Sequence, residues 1–187
     1  MMDTNNRIED PSRYGSINKL KYFVDIRQFG RAAKILELYA PQLKKVGKED
    51  LAKSFLEKSA LFYSKIGWFE KTYGLYSSIQ KLNEAKKAIL KRDKLQEKFE
   101  MTINEEYKNK DDSLFNRIKK EKIAQLWEQE KYDGRAAIFQ YDLGNINKAQ
   151  ALIEKEGLDL VTLCNFVKEC SQLNIIIEKF HRSNTLF

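Results

Sequence analysis

The 187-residue chain has one histidine, two cysteines, two prolines and eight glycines. A single histidine, His181, leaves serine nucleophiles and metal-ligand sets without their usual member. Two cysteines six positions apart, Cys164 and Cys170, form neither a disulfide framework nor a CxxC pair, and read as two buried thiols in a reducing compartment. GxxxxGK[ST] loops and HExxH pairs are absent. The carboxylate pairs Glu105-Glu106 and Asp111-Asp112 sit in a charged stretch and read as solvated, so neither an enzyme nor a cofactor is expected. Scarce glycine and proline, with no alternating β-branched runs, exclude a turn-rich β fold and favour an all-α protein. No run approaches the ~18 apolar residues of a membrane span. The start, MMDTNNRIEDPSRYGS, mixes acids and bases unlike a signal peptide. A cytoplasmic protein is expected.

Charge is what the chain has in quantity: 34 Lys and Arg against 27 Asp and Glu, a net +7. An acidic partner suits that balance. The densest clusters are Lys44-Lys45-Lys48 and Arg117-Lys119-Lys120-Lys122. The basic residues are interleaved with glutamates and carry no recognised motif, which disfavours nucleic acid.

A repeat is present as well. In SKIGWFEKTYGLY, residues 64–76, a glycine separates two helical segments. Aligning Ala32, Thr72 and Ala149 puts Phe29, Phe69 and Ile146 three positions before and Leu36, Tyr76 and Ile153 four after. The anchors are 40 and 77 residues apart, the second close to two further periods. Small residues at helix crossings, with bulky ones above and below, predict antiparallel helical hairpins stacked as a tetratricopeptide-like α-solenoid, with turns near Arg27, Gly67 and Gly144. The expected helices are 17–26, 29–46, 50–65, one from Phe69 past Leu90, then 114–131, 135–142, 146–155, 159–171 and 174–181. Pro41 bends or divides the second, and Asp50 and Asp159 serve as caps. Leu51, Phe55, Phe62 and Ile66 form the apolar stripe of helix 50–65. Trp68 and Trp127 read as core anchors. Gly30-Arg31 and Gly134-Arg135 read as helix starts, with anion binding as the alternative. Residues 1–16 form a flexible segment and 181–187 a tail. Between them, 17–180 is the repeat domain, with a charged, partly mobile insert around 91–112, read as one long, solvated helix ending in a mobile loop near 104–112.

The stretch IRQFGRAAKILELYAPQLKKVGKEDLAKSFLEKSALFYSKIG, residues 26–67, resembles the central repeats of the soluble NSF attachment proteins, the SNAP family. Phe29, Ala32, Ala33, Ala52, Glu57 and Tyr63 match; Arg27, Gln28, Leu51, Leu56 and Ser59 depart. KYDGRAAIFQYDLGNINKAQALIEK is similar to tetratricopeptide-like repeats more generally. The resemblance implies a trafficking adaptor that binds an acidic, SNARE-like helical bundle and hands it to an AAA ATPase, at the cytosolic face of membranes and touching them only indirectly. In that register the protein-binding surface is Lys21, Lys45, Lys48, Lys58 and Lys65, and Leu186 and Phe187 engage the ATPase. The family's amino-terminal hydrophobic loop and acidic carboxy-terminal helix have no counterpart. A second reading is a structural subunit of a larger α-solenoid scaffold, such as an intraflagellar transport or coat assembly, with the apolar stretch Leu173–Ile177 at an uncapped end.

Overall fold

The structure, a computed structural model, describes residues 14–106 and 113–184, with side chains described for 14–106 and 116–178. Among the described residues every regular element is helical. A 3-10 turn (Ile17–Lys19) is followed by α1 (Leu20–Asp25), α2 (Phe29–Lys45), α3 (Glu49–Lys65), α4 (Phe69–Ser78), α5 (Leu82–Glu106), α6 (Ser113–Gln129), α7 (Asp133–Asp142), α8 (Ile146–Lys155) and α9 (Leu160–Asn184).

Seven helix ends are closed by one device. Arg27, Gly47, Gly67, Gln80, Lys131, Gly144 and Gly157 have positive φ. In each case the next N–H reaches back five residues, as Trp68 N–H donates to Tyr63 O at 3.0 Å and Tyr132 N–H to Trp127 O at 2.9 Å. This closure satisfies carbonyls that a helix end leaves orphaned. Glycine adopts the left-handed conformation freely, whereas Arg27, Gln80 and Lys131 do so at a cost of ~1–2 kcal/mol each. Five positions after each such residue stands a small one: Ala32, Ala52, Thr72, Ala85, Ala136, Ala149 and Thr162. All seven are buried, so neighbouring helices approach closely at the start of each new helix.

What recurs is the turn with its small residue, and the helix length between turns varies. Twenty residues separate Arg27, Gly47 and Gly67; thirteen separate Gly67 from Gln80, and Lys131, Gly144 and Gly157 from one another. The 40-residue spacing is two long steps. The 77-residue spacing is not two further periods; it contains a short step, the α5–α6 pair and another short step. The helix expected from Phe69 past Leu90 is broken at Gln80, which does a glycine's work without being one. Ala85, five positions after it, is the small residue of that region. The pair 159–171 and 174–181 is one helix, α9, and α2 runs through Pro41. Lys48, not Asp50, precedes α3, whereas Asp159 Oδ1 accepts the Thr162 N–H at 2.8 Å at the start of α9.

On α3 the core face is Ala52, Leu56, Ser59, Ala60 and Tyr63. Leu51 is 43% exposed, and of the expected stripe only Ile66 is fully buried. The small side chains take the core face because they admit α2 and α4: Ser59 Oγ donates to Ala33 O at 2.9 Å and Thr72 Oγ1 to Ala60 O at 3.2 Å. The long helix expected in the charged stretch is α5 up to Glu106, but it is not solvated throughout, since Phe99 and Ile103 on it are buried. The Phe99 ring meets Trp127 edge-on at 4.9 Å, pairing α5 with α6. Both tryptophans lie in the core, Cys170 is buried and Cys164 half-buried. Tyr14, within the segment read as flexible, is buried too, and its hydroxyl meets Thr162 Oγ1 at 2.7 Å.

The sequence Gly-Arg-Ala-Ala occurs twice, at 30–33 and 134–137, and the copies dock reciprocally. At the start of α7, Arg135 N–H donates to Ile66 O, the carbonyl closing α3, at 3.0 Å. At the start of α2, Arg31 N–H donates to Glu156 O, closing α8, at 2.8 Å. A helix start thus meets a helix end, with complementary partial charges. The backbones come so close that a Cβ on Gly134 would stand 2.7 Å from Ile66 O, and one on Gly30 2.9 Å from Glu156 O. The two glycines are needed for this contact, and a carbonyl fills the place considered for an anion.

Gly134→Ala is expected to lower stability by ~1–3 kcal/mol, because a backbone oxygen blocks the methyl. Gly74→Ala is the control. It lies inside α4 with nothing nearer than Leu173 at 3.5 Å, and should gain roughly 0.5–1 kcal/mol from helix propensity. Urea unfolding of both variants checks this; equal effects would contradict the docking.

Candidate interaction surface along α5

Beneath α5 lies a buried carboxylate. The Glu70 side chain is 1% exposed, in the first turn of α4. Arg135 Nη1 donates to its two oxygens at 2.9 and 2.8 Å, and Arg92 Nη1 to Oε1 at 2.8 Å. Arg92 Nη1 also donates to Asn174 Oδ1 at 3.0 Å. Burial pushes the Glu70 carboxyl up, but Arg135 and Arg92 outweigh it and hold it below the usual glutamate range. The cluster ties α4 to α5, α7 and α9. Burial, together with Glu70, pushes the adjacent Cys170 thiol well up. A second tie joins α2, α4 and α9: Lys71 Nζ lies 2.8 Å from Glu37 and 2.9 Å from Glu169.

With Arg92 turned inward, its neighbours on α5 turn out. Lys91 Nζ stands over the Tyr132 and Phe69 rings at 5.3 and 5.9 Å. Lys87, Leu90, Lys91, Lys94, Leu95 and Tyr132 line an open groove of about 430 Å³. An adjoining groove of about 190 Å³ shares Lys87 and Lys91 and is completed by α3 and α4 through Leu61, Thr72 and Tyr76. Leu61 and Leu90 are half-exposed at 50% and 51%. Among the described residues no carboxylate pairs with Lys87, Lys91 or Lys94, whereas Lys98 is bound by Glu130 at 2.9 Å. The surface offers cationic heads, with the one carboxylate of Glu84 at its side, around an apolar, aromatic floor.

The lysines expected from sequence do not form one patch. Lys21 is exposed on α1, and Lys45 and Lys48 lie at the α2–α3 turn. Lys65 is at the other end of α3, about 25 Å away at 1.5 Å per residue, with Nζ 4.3 Å above the Phe29 ring. Lys58 and Lys65 share a face of α3 with Leu61 between them, beside the α5 groove. Leu186 and Phe187 lie outside the described residues. In the second lysine cluster, Arg117 pairs with Glu121 and Lys122 with Glu106. The α5 lysines lie in the run read as solvated. Their signal was the 4, 3, 4 spacing of Lys87, Lys91, Lys94 and Lys98 beside apolar Ala88, Ile89 and Leu95.

One described helix segment, Leu160–Glu178, is long and apolar enough by length and composition to cross a bilayer, although Lys168 and Glu169 interrupt its apolar run. Its Leu163 and Phe166 are buried, and Phe166 stacks on Trp68 at 4.0 Å. No group of three His, Cys, Asp or Glu among the described residues could hold a metal ion. No protein-family model, curated protein or solved structure matches the chain.

Glu70→Gln should lower stability by ~3–5 kcal/mol, since it leaves two buried guanidiniums short of their counter-charge. The carboxyl is held low in the folded state, so its contribution is full above the unfolded glutamate pKa and is lost as pH falls through the lower folded value. Urea unfolding from pH 7 down to pH 3 should show the parent losing stability in acid and the variant losing less. Parallel profiles would contradict this.

Proposed function

We propose that the protein is a protein-interaction adaptor whose α5 groove receives an acidic helical segment of a partner. The observation that carries the reading is the set Lys87, Lys91 and Lys94, unpaired with described carboxylates around an apolar floor. A folded domain normally intersperses both signs of charge, and complementary fields chiefly speed encounter with a partner. The apolar floor would then bury side chains of the bound helix. Antiparallel packing of consecutive helices supports a tetratricopeptide-like reading of the array, and with it an adaptor of SNAP-like type that presents an acidic, SNARE-like bundle to an AAA ATPase.

The scaffold reading is second. It is favoured by Ile175 and Ile176, 55% and 54% exposed on α9, which a neighbouring subunit of a larger solenoid would cover.

The test is binding of an assembled acidic four-helix bundle at 50 and 200 mM salt, followed by fluorescence anisotropy. The triple variant Lys87→Glu, Lys91→Glu, Lys94→Glu should bind at least ~10-fold more weakly and with a flatter salt dependence, because screening acts within ~10 Å. Reversing Lys21, Lys45 and Lys48 should change affinity less than threefold. No binding by the parent, or equal losses in both variants, would remove the α5 reading and leave the scaffold ahead.

A further inference from the structure

The two Gly-Arg-Ala-Ala junctions are alike in backbone and unlike in charge. In the α7 junction the carbonyl that receives Arg135 N–H belongs to Ile66, which is apolar and fully buried. In the α2 junction the corresponding residue is Glu156, 8% exposed. Among the described residues its Oε2 is buried with no hydrogen-bond partner. Across the same seam, Gln28 Oε1 is also buried without a donor, 2.8 Å from where a Cβ on Gly157 would stand. An ionised carboxylate here adds one more acceptor to a place already short of donors, and unpaired buried acceptors are costly. A protonated carboxyl is neutral and brings an O–H donor.

We propose that the seam between α2 and the α8–α9 turn is a proton-operated latch, closed when Glu156 is protonated and loosened when it ionises. Among the described residues the charged groups around it do not supply a counter-ion of its own. From α7, Asp133 adds a like charge; from the end of α8, Lys155 opposes it but also lies 3.6 Å from Asp133 and 3.9 Å from Glu128. On α2, Arg31 Nε donates to Tyr14 O at 2.7 Å and its guanidinium lies over the Phe23 ring. At the start of α9, Asp159 is held by the Thr162 N–H and hydroxyl. Burial, with Asp133 adding to it, pushes the Glu156 carboxyl up to about 7 against the Gly30, Phe29 and Lys155 contributions. The folded value lies above the unfolded one. The stabilisation is therefore fully present below the unfolded glutamate pKa and is lost as pH rises through about 7. The latch joins the first and last helix pairs and leaves the Glu70 junction untouched, so opening it changes how the ends of the array meet.

Amide hydrogen exchange of the full chain at pH 6, 7 and 8, corrected for intrinsic rates, tests this with an internal reference. Protection over 29–33 should fall up to ~10-fold relative to 135–137 between pH 6 and 8, one pH unit of linkage corresponding to about a tenfold change. Glu156→Gln should make the ratio flat. Asp133→Asn, which removes the like charge and leaves the seam's backbone intact, should move the transition to lower pH and keeps the test decisive if the first variant does not fold. A pH-independent ratio in the parent, or an unmoved transition in Asp133→Asn, would overturn the proposal.

Discussion

A carboxylate with 1% exposure, bound by two guanidiniums, is the constraint on which the arrangement of α5 depends. Removing an ion from water costs several kcal/mol, and only good geometry with further hydrogen bonds offsets it. Arg135 meets both Glu70 oxygens, Arg92 meets one, and Asn174 occupies Arg92 further. Arg92 must therefore face inward. Successive helix residues differ by about 100°, so Lys91 and Lys94 are carried to the outer face, with Lys91 above the rings of Phe69 and Tyr132. A buried ion pair thereby fixes which side of a long, charged helix faces outward.

The second organising element is the turn. Once a helix end closes through a left-handed residue, the next helix leaves at a defined angle and needs a small residue five positions on to pack back. Two such units carry Gly-Arg-Ala-Ala, and each docks on the closing carbonyl of the other's neighbour. Arg135 serves twice, through its N–H to Ile66 and its guanidinium to Glu70. Arg31 has no Glu70 equivalent, because Leu160 stands at the matching place, and its guanidinium holds the carbonyl of Tyr14 instead.

Much of the helical architecture was legible from residues whose chemistry is specific. Gly67 and Gly144 announced their turns, and Ala32, Thr72 and Ala149 the close crossings behind them. Gln80 hid its turn, because side-chain type gives no sign that φ is positive there, whereas the break expected between 131 and 135 falls at Lys131. The long step between α4 and α7 hid Ala85 and Ala136 from a search for equal periods. The α5 surface was concealed for another reason. Its lysines share a run with Glu97 and Glu100, and only the burial of Arg92 by Glu70, 22 positions away, shows which residues face out. Pairings between distant charges leave no local pattern.

A double-mutant cycle on Glu70→Gln and Arg92→Met, read by urea unfolding at pH 7, tests the central claim most directly. Coupling energies between contacting groups run to about 3 kcal/mol. A coupling of about 2 kcal/mol or more is the predicted result, since the pair is buried and the second substitution should cost little once Glu70 is gone. Additive effects within ~0.5 kcal/mol would show that α5 is held in place by its apolar contacts alone, and would contradict the account.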